Sequence, residues 1–195
     1  MGTVGTPVYA MLPVLTDAAR AEAAALAQEA ALGLADQGID HPVDELVELI
    51  RSQKTTITGF YDDDTLVGCL VAHPGADPPH WSGDSPGPGV WVSLVPPVPG
   101  RDDQEARLLT LWLADHAAQH GLEWVWWEVP ATGQTRRTLL DSLRDLGWED
   151  LPPIRRTADG VHVTPLRLRA ERRPAPTVAI SAFHNALPLS AVSAR

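Results

Sequence analysis

The chain has 195 residues, with 25 acidic against 15 basic side chains and a formal charge of −10. That length suits one domain with a substantial core. The acidic balance argues against nucleic acid as a partner, because phosphate binding needs clustered Lys and Arg. No apolar run approaches the ~20 residues needed to span a bilayer, so no membrane association is expected. Cys69 is the only cysteine, which excludes an intrachain disulfide and a multi-thiolate zinc site. The first residues lack the basic and apolar regions of a secretory signal, so the cytoplasm is the expected compartment.

The apolar run 8–15 suits a first strand. Thr16 and Asp17 then start a helix, with an N-cap oxygen followed by an acid in the first turn. The alanine-rich stretch 18–36 is a strong helix former, ended by Gly38. A second helix begins near Asp40, and Val43, Leu46, Val47 and Ile50 give it one apolar face. Thr55–Tyr61 and Leu66–Ala72 read as strands of a hairpin around Asp62-Asp63-Asp64-Thr65. The acid triplet lacks the further spaced oxygen ligands of a calcium loop.

Residues 74–89 form a Pro/Gly-rich loop with His80 and Trp81 at its centre, long enough to be a functional flap. A strand over 90–95 follows, with Val90, Val92 and Leu94 on one face and Trp91 and Ser93 on the other. A third helix covers about 103–120, and Trp124–Val129 reads as a buried strand. A fourth helix opens at Thr132 or Thr135 and stops at Gly147. Trp148 and Ile154 mark an irregular strand. In the last strand, 161–168, Pro165 predicts a register change or a bulge. Residues 171–195 read as an Arg/Pro linker and a flexible or partner-contacting tail, leaving 1–170 as the folded domain.

This order of elements resembles the GNAT superfamily of acyl-CoA-dependent N-acyltransferases over roughly 8–169. Three local stretches carry the resemblance. Gly59-Phe60-Tyr61 with Leu66-Val67-Gly68-Cys69-Leu70 is similar to the family's second and third strands. Leu140-Asp141-Ser142-Leu143-Arg144-Asp145-Leu146-Gly147-Trp148 is similar to its helix ending in Leu-Tyr-Glu-x-Leu-Gly-Phe. Val92-Ser93-Leu94-Val95-Pro96-Pro97 is similar to the strand and proline that precede its pyrophosphate loop. The resemblance implies an α/β (α+β) fold: a mixed, mostly antiparallel central sheet, helices on both faces, and a splayed pair formed by the fourth and fifth strands. It implies acetyl-CoA as co-substrate and transfer to an amine of a small molecule or peptide by direct attack. It leaves a homodimer open.

Carried over residue by residue, the resemblance puts the pantetheine and thioester against the backbone of Leu94 and Val95. The pyrophosphate falls on the segment that includes Gly100, Arg101, Gln104 and Ala106, at a helix N-terminus whose amides and dipole favour anions. Arg136 aligns roughly with the family's asparagine at the start of the fourth helix. Two positions depart from the pattern. Asp103 and Glu105 stand where the loop has glycines, and a carboxylate pointing inward about 4 Å from a phosphate oxygen would oppose binding by about 4 kcal/mol. Acids at a helix start also stabilise its dipole. Leu143 stands where family members often carry the tyrosine that protonates the leaving thiolate. These departures support a second reading, a GNAT-fold binding or accessory protein that does not use acyl-CoA.

For catalysis, Glu128 sits between Trp127 and Val129 in the fifth strand, where burial would raise its pKa toward that of a useful general base. An exposed or Arg-paired carboxylate is the plainer alternative. Tyr61, Trp91 and Ser93 are candidates for the acceptor pocket, or for the core. His73 ends the third strand within reach of the cleft or simply packs there. His116 and His120 stand at i, i+4, but the glutamate of a His-Glu-x-x-His metal motif is missing. No metal is expected.

Overall fold

The computed structural model describes residues 9–39, 43–73, 87–95, 104–130, 136–155, 162–172 and 180–182. The chain order is β1 (Tyr9–Pro13), α1 (Asp17–Ala35), α2 (Val43–Arg51), β2 (Ile57–Asp62), β3 (Thr65–His73), β4 (Gly89–Leu94), α3 (Gln104–Gln119), β5 (Trp124–Pro130), α4 (Arg136–Asp145), β6 (Glu149–Asp150), β7 (Ile154–Arg155), β8 (His162–Arg169) and β9 (Ile180–Ala182). The strands make one sheet in the order β6-β8-β5-β4-β3-β2-β1-β9, with β7 also paired to β8. All pairings are antiparallel except β4–β5 and β1–β9. The fold class read from the sequence therefore holds.

Side chains alternate across the sheet and divide the core in two. On one face Ile57, Leu66 and Val71 pack against Ala23, Ala24 and Ala27 of α1 and Leu46, Val47 and Ile50 of α2. On the other, Phe60, Leu70, Val90, Val92, Leu94, Val125, Trp127 and Val129 pack with Trp112 and Leu113 of α3 and Leu139, Leu140 and Leu143 of α4. Each fully buried large aliphatic contributes about 1.5–3 kcal/mol. Cys69 packs against the α1/α2 cluster, and burial pushes its thiol up to about 12.

Local signals set the helix ends. The Thr16 hydroxyl accepts from the Ala19 amide at 3.1 Å, capping α1 as predicted. Gly147 ends α4 with φ 100°, a left-handed turn that a Cβ would strain. One tie was not anticipated. Arg20 is buried within the alanine-rich α1. Its guanidinium donates to the carbonyls of Ile50 (2.9 Å), Ser52 (2.7 Å) and Thr55 (2.9 Å). A cation is thereby placed at the negative end of α2, fixing the turn into β2.

One expectation changes. The β5–β8 register runs unbroken through Pro165, which pairs with Glu128. The Pro165 carbonyl accepts from the Leu151 amide at 2.9 Å, so its missing N–H faces the same outer side, away from β5. The cost falls there: β6 pairs with Arg167 and Leu166, β7 with Val163 and His162, and the outer pairing is interrupted at Pro165. Within the C-terminal segment read as a tail, Ile180–Ala182 adds a parallel strand to β1. Among the described residues no helix is long and apolar enough to cross a membrane.

Candidate active site

The central feature is the β4–β5 pair. Its parallel register covers only Gly89↔Trp124, Val90↔Val125 and Trp91↔Trp126. Beyond that rung each strand keeps its outer partner. β4 stays on β3 as far as Leu94, opposite Leu70. β5 stays on β8 as far as Pro130, opposite Val163. Val92–Leu94 and Trp127–Pro130 therefore form the two lips of a wedge, with strand edges that the facing lip does not use.

The paired end is locked by a close approach. A Cβ on Gly89 would collide with the Trp126 Nε1, so the indole lies directly over this glycine. Trp91 and Trp126, 9% and 2% exposed, form the last paired rung and the floor of the wedge. Trp127, the first residue of the free half, points to the opposite face, where its ring meets Trp148 edge-on at 5.3 Å. The indoles thus line the floor and the core.

Period-two alternation puts Ser93 and Glu128 on the same face as Trp91 and Trp126. Were the Trp91↔Trp126 register to continue, Ser93 would lie opposite Glu128. The two stand on facing lips. Ser93 Oγ is 2.9 Å from His73 Nε2. His73 is half-buried at the end of β3, with Trp91 as its register partner, and burial holds its imidazole below the usual histidine range. Glu128 is half-buried on the face that carries these groups, and its Oε1 is withdrawn from solvent.

Of the residues singled out from the sequence, Trp91, Ser93 and Glu128 come together at the wedge. Leu94 and Val95 continue the β4 lip; Leu94 turns its side chain into the α3/α4 core, and Val95 packs against both clusters. Gln104 and Ala106 begin α3, where the Gln104 amide donates to the Tyr9 hydroxyl at 3.4 Å. Glu105 is exposed. Arg136 opens α4. Tyr61 lies elsewhere: β3 separates its strand from β4, and it packs in the α1/α2 cluster. Burial there, with the charge of Glu22 and then Cys69, raises its hydroxyl. Gly100, Arg101, Asp103 and the 74–86 stretch with His80 and Trp81 lie outside the described residues.

Leu143 is 1% exposed and part of the α3/α4 core, so this position offers no acid to the wedge. His116 stacks on Trp112 at 4.6 Å and lies 4.4 Å from His120. Among the described residues no group of three His, Cys, Asp or Glu is arranged to hold a metal. The partnership of His73 with Ser93 has no local signal in the sequence, because it depends on the register of β3 against β4.

Solved structures share this overall fold. An N-acetyltransferase from Staphylococcus aureus Mu50 superposes with a TM-score of 0.56 at 13% identity, covering 83% of this chain and 97% of that one. A GNAT-family acetyltransferase from Listeria monocytogenes gives 0.55 at 10% identity, covering 81% and 95%. A spermidine N-acetyltransferase chimera from Vibrio cholerae and hSSAT gives 0.50 at 13%, covering 83% and 95%. The chain has the GNAT fold. No family model matches the sequence, and no curated protein matches it. At these identities the likeness concerns architecture alone.

Proposed function

We propose that the chain is an acyl-CoA-dependent N-acyltransferase that moves an acetyl or other short acyl group to an amine. The observation that carries this reading is the parting of β4 and β5 after the Trp91↔Trp126 rung, with Ser93 and Glu128 on facing lips. An acyl-CoA fits such a site through its pantetheine amides, which need main-chain partners. The Leu94–Val95 lip supplies them, and the start of α3, with Gln104 and Ala106, would take the charged end together with Gly100, Arg101 and Arg136. Glu105 is exposed at that helix start, where an acid also stabilises the helix dipole. The bound thioester supplies the activated acyl carbon. Glu128 takes a proton from the incoming ammonium, directly or through a water, and leaves an amine able to attack. The net charge of −10 favours cationic acceptors by long-range attraction, and a spermidine N-acetyltransferase shares the architecture.

Leu143 in the core favours the second reading, a GNAT-fold accessory protein without acyl-CoA chemistry. Calorimetric titration with acetyl-CoA separates the two. Saturable binding in the micromolar range is expected, followed by thiol release with at least one member of an amine panel containing spermidine and a lysine-bearing peptide. Neither heat nor a thermal shift at about millimolar acetyl-CoA, at least a hundredfold above the expected Kd, would leave the accessory reading standing.

A further inference from the structure

Leu143 leaves a gap in the proton account. An incoming ammonium loses two protons on its way to an amide, while the thiolate sulfur gains one. Glu128 handles the first. The second must travel from the attacking nitrogen to the sulfur, and the α4 position where the family often has a tyrosine is closed core.

We propose that Ser93 and His73 together form a two-way proton carrier that takes over the role of the missing acid. This rests on the acyl-transfer reading above. Three features of the site support it. Ser93 is the only hydroxyl-bearing residue on the Val92–Leu94 lip, and it stands on the same face as Glu128 across the wedge. Its Oγ is 2.9 Å from His73 Nε2, within hydrogen-bond range. His73 is half-buried, and its depressed basicity keeps the imidazole neutral at pH 7, ready to accept a proton and reluctant to keep it.

The steps balance. As the new C–N bond forms, Ser93 Oγ accepts the amine's N–H proton while its own O–H proton passes to His73 Nε2. As the C–S bond breaks, its electron pair goes to sulfur. Ser93 then gives its O–H proton to the thiolate and recovers one from the imidazolium. One proton moves from nitrogen to sulfur, and the pair ends as it began. Ser93 contacts the reacting atoms; His73 acts through it as a positioning residue and proton store.

The test uses the full chain with acetyl-CoA and spermidine, or whichever amine in the panel turns over fastest. Ser93→Ala and His73→Gln should each lower kcat by about a hundredfold while KM for both substrates moves less than about threefold. Ser93→Thr, which keeps the hydroxyl, should retain at least about a tenth of the turnover. The double variant should be no worse than either single, because groups that act as one unit are not additive. Thermal unfolding verifies the fold of each variant, and the Ala/Thr contrast at 93 stands alone if His73→Gln does not fold. Either single variant keeping kcat within about threefold of wild type, or losses that multiply in the double variant, overturns the carrier and leaves the acyl-transfer reading intact. A wild-type protein that does not bind acetyl-CoA overturns both.

Discussion

Two halves of one strand pair behave in opposite ways. From Gly89 to Trp91, β4 lies in register with β5, and the Pro88 carbonyl extends the join by accepting from the amides of Glu123 (2.7 Å) and Trp124 (3.3 Å). From Val92 onward the same strands part, each held outward by its other neighbour. The closed half joins through small and flat groups: a glycine under an indole, then two indoles on one rung. The open half presents Ser93 and Glu128. Stability and chemistry are thus placed in separate stretches of the same pair, and substitutions in one half should move one property without the other.

The largest expected effect lies in the open half. Glu128→Gln keeps the shape and removes the proton acceptor, so turnover should fall by about 10²–10³-fold, within the usual range for a general base. Denaturant unfolding should place its midpoint with wild type. A lost midpoint with unchanged turnover would reverse the division. In the closed half, Gly89→Ala forces a methyl against the Trp126 indole nitrogen and should cost about 1–3 kcal/mol in urea unfolding, as overpacked sites do. Its residual folded fraction should still bind acetyl-CoA. The smallest effect is a pH dependence between the halves. His73 has a lower pKa folded than unfolded, so the unfolded chain binds more protons. Its contribution therefore lowers stability as pH falls below about 6.5. His73→Gln should flatten that part of the stability–pH curve, and an unchanged slope would show that other groups set it.

Much of the architecture could be read from the chain because its signals are local. Thr16 caps α1, Leu46, Val47 and Ile50 make one stripe on α2, and Gly147 turns the chain after α4. The site was legible only in pieces. Trp91, Ser93 and Glu128 could each be placed on a strand face by alternation, but their meeting depends on where β4 stops pairing with β5, and those strands are separated by the whole of α3. The same applies to His73, brought to Ser93 by the β3–β4 register between strands distant in sequence. Arg20 carries no local signal, because its three acceptors are backbone carbonyls in another segment. Pro165 in the sequence predicts a distortion of its own strand, whereas the break falls on the neighbours facing its missing N–H.

The environment of Cys69 has a practical consequence. With its acidity pushed up to about 12, the only sulfhydryl of the chain is almost wholly protonated in neutral buffer, and it is the ionised form that attacks disulfide reagents. A chromogenic aromatic disulfide added to a running reaction should therefore report newly liberated coenzyme, with the enzyme itself contributing a nearly flat baseline.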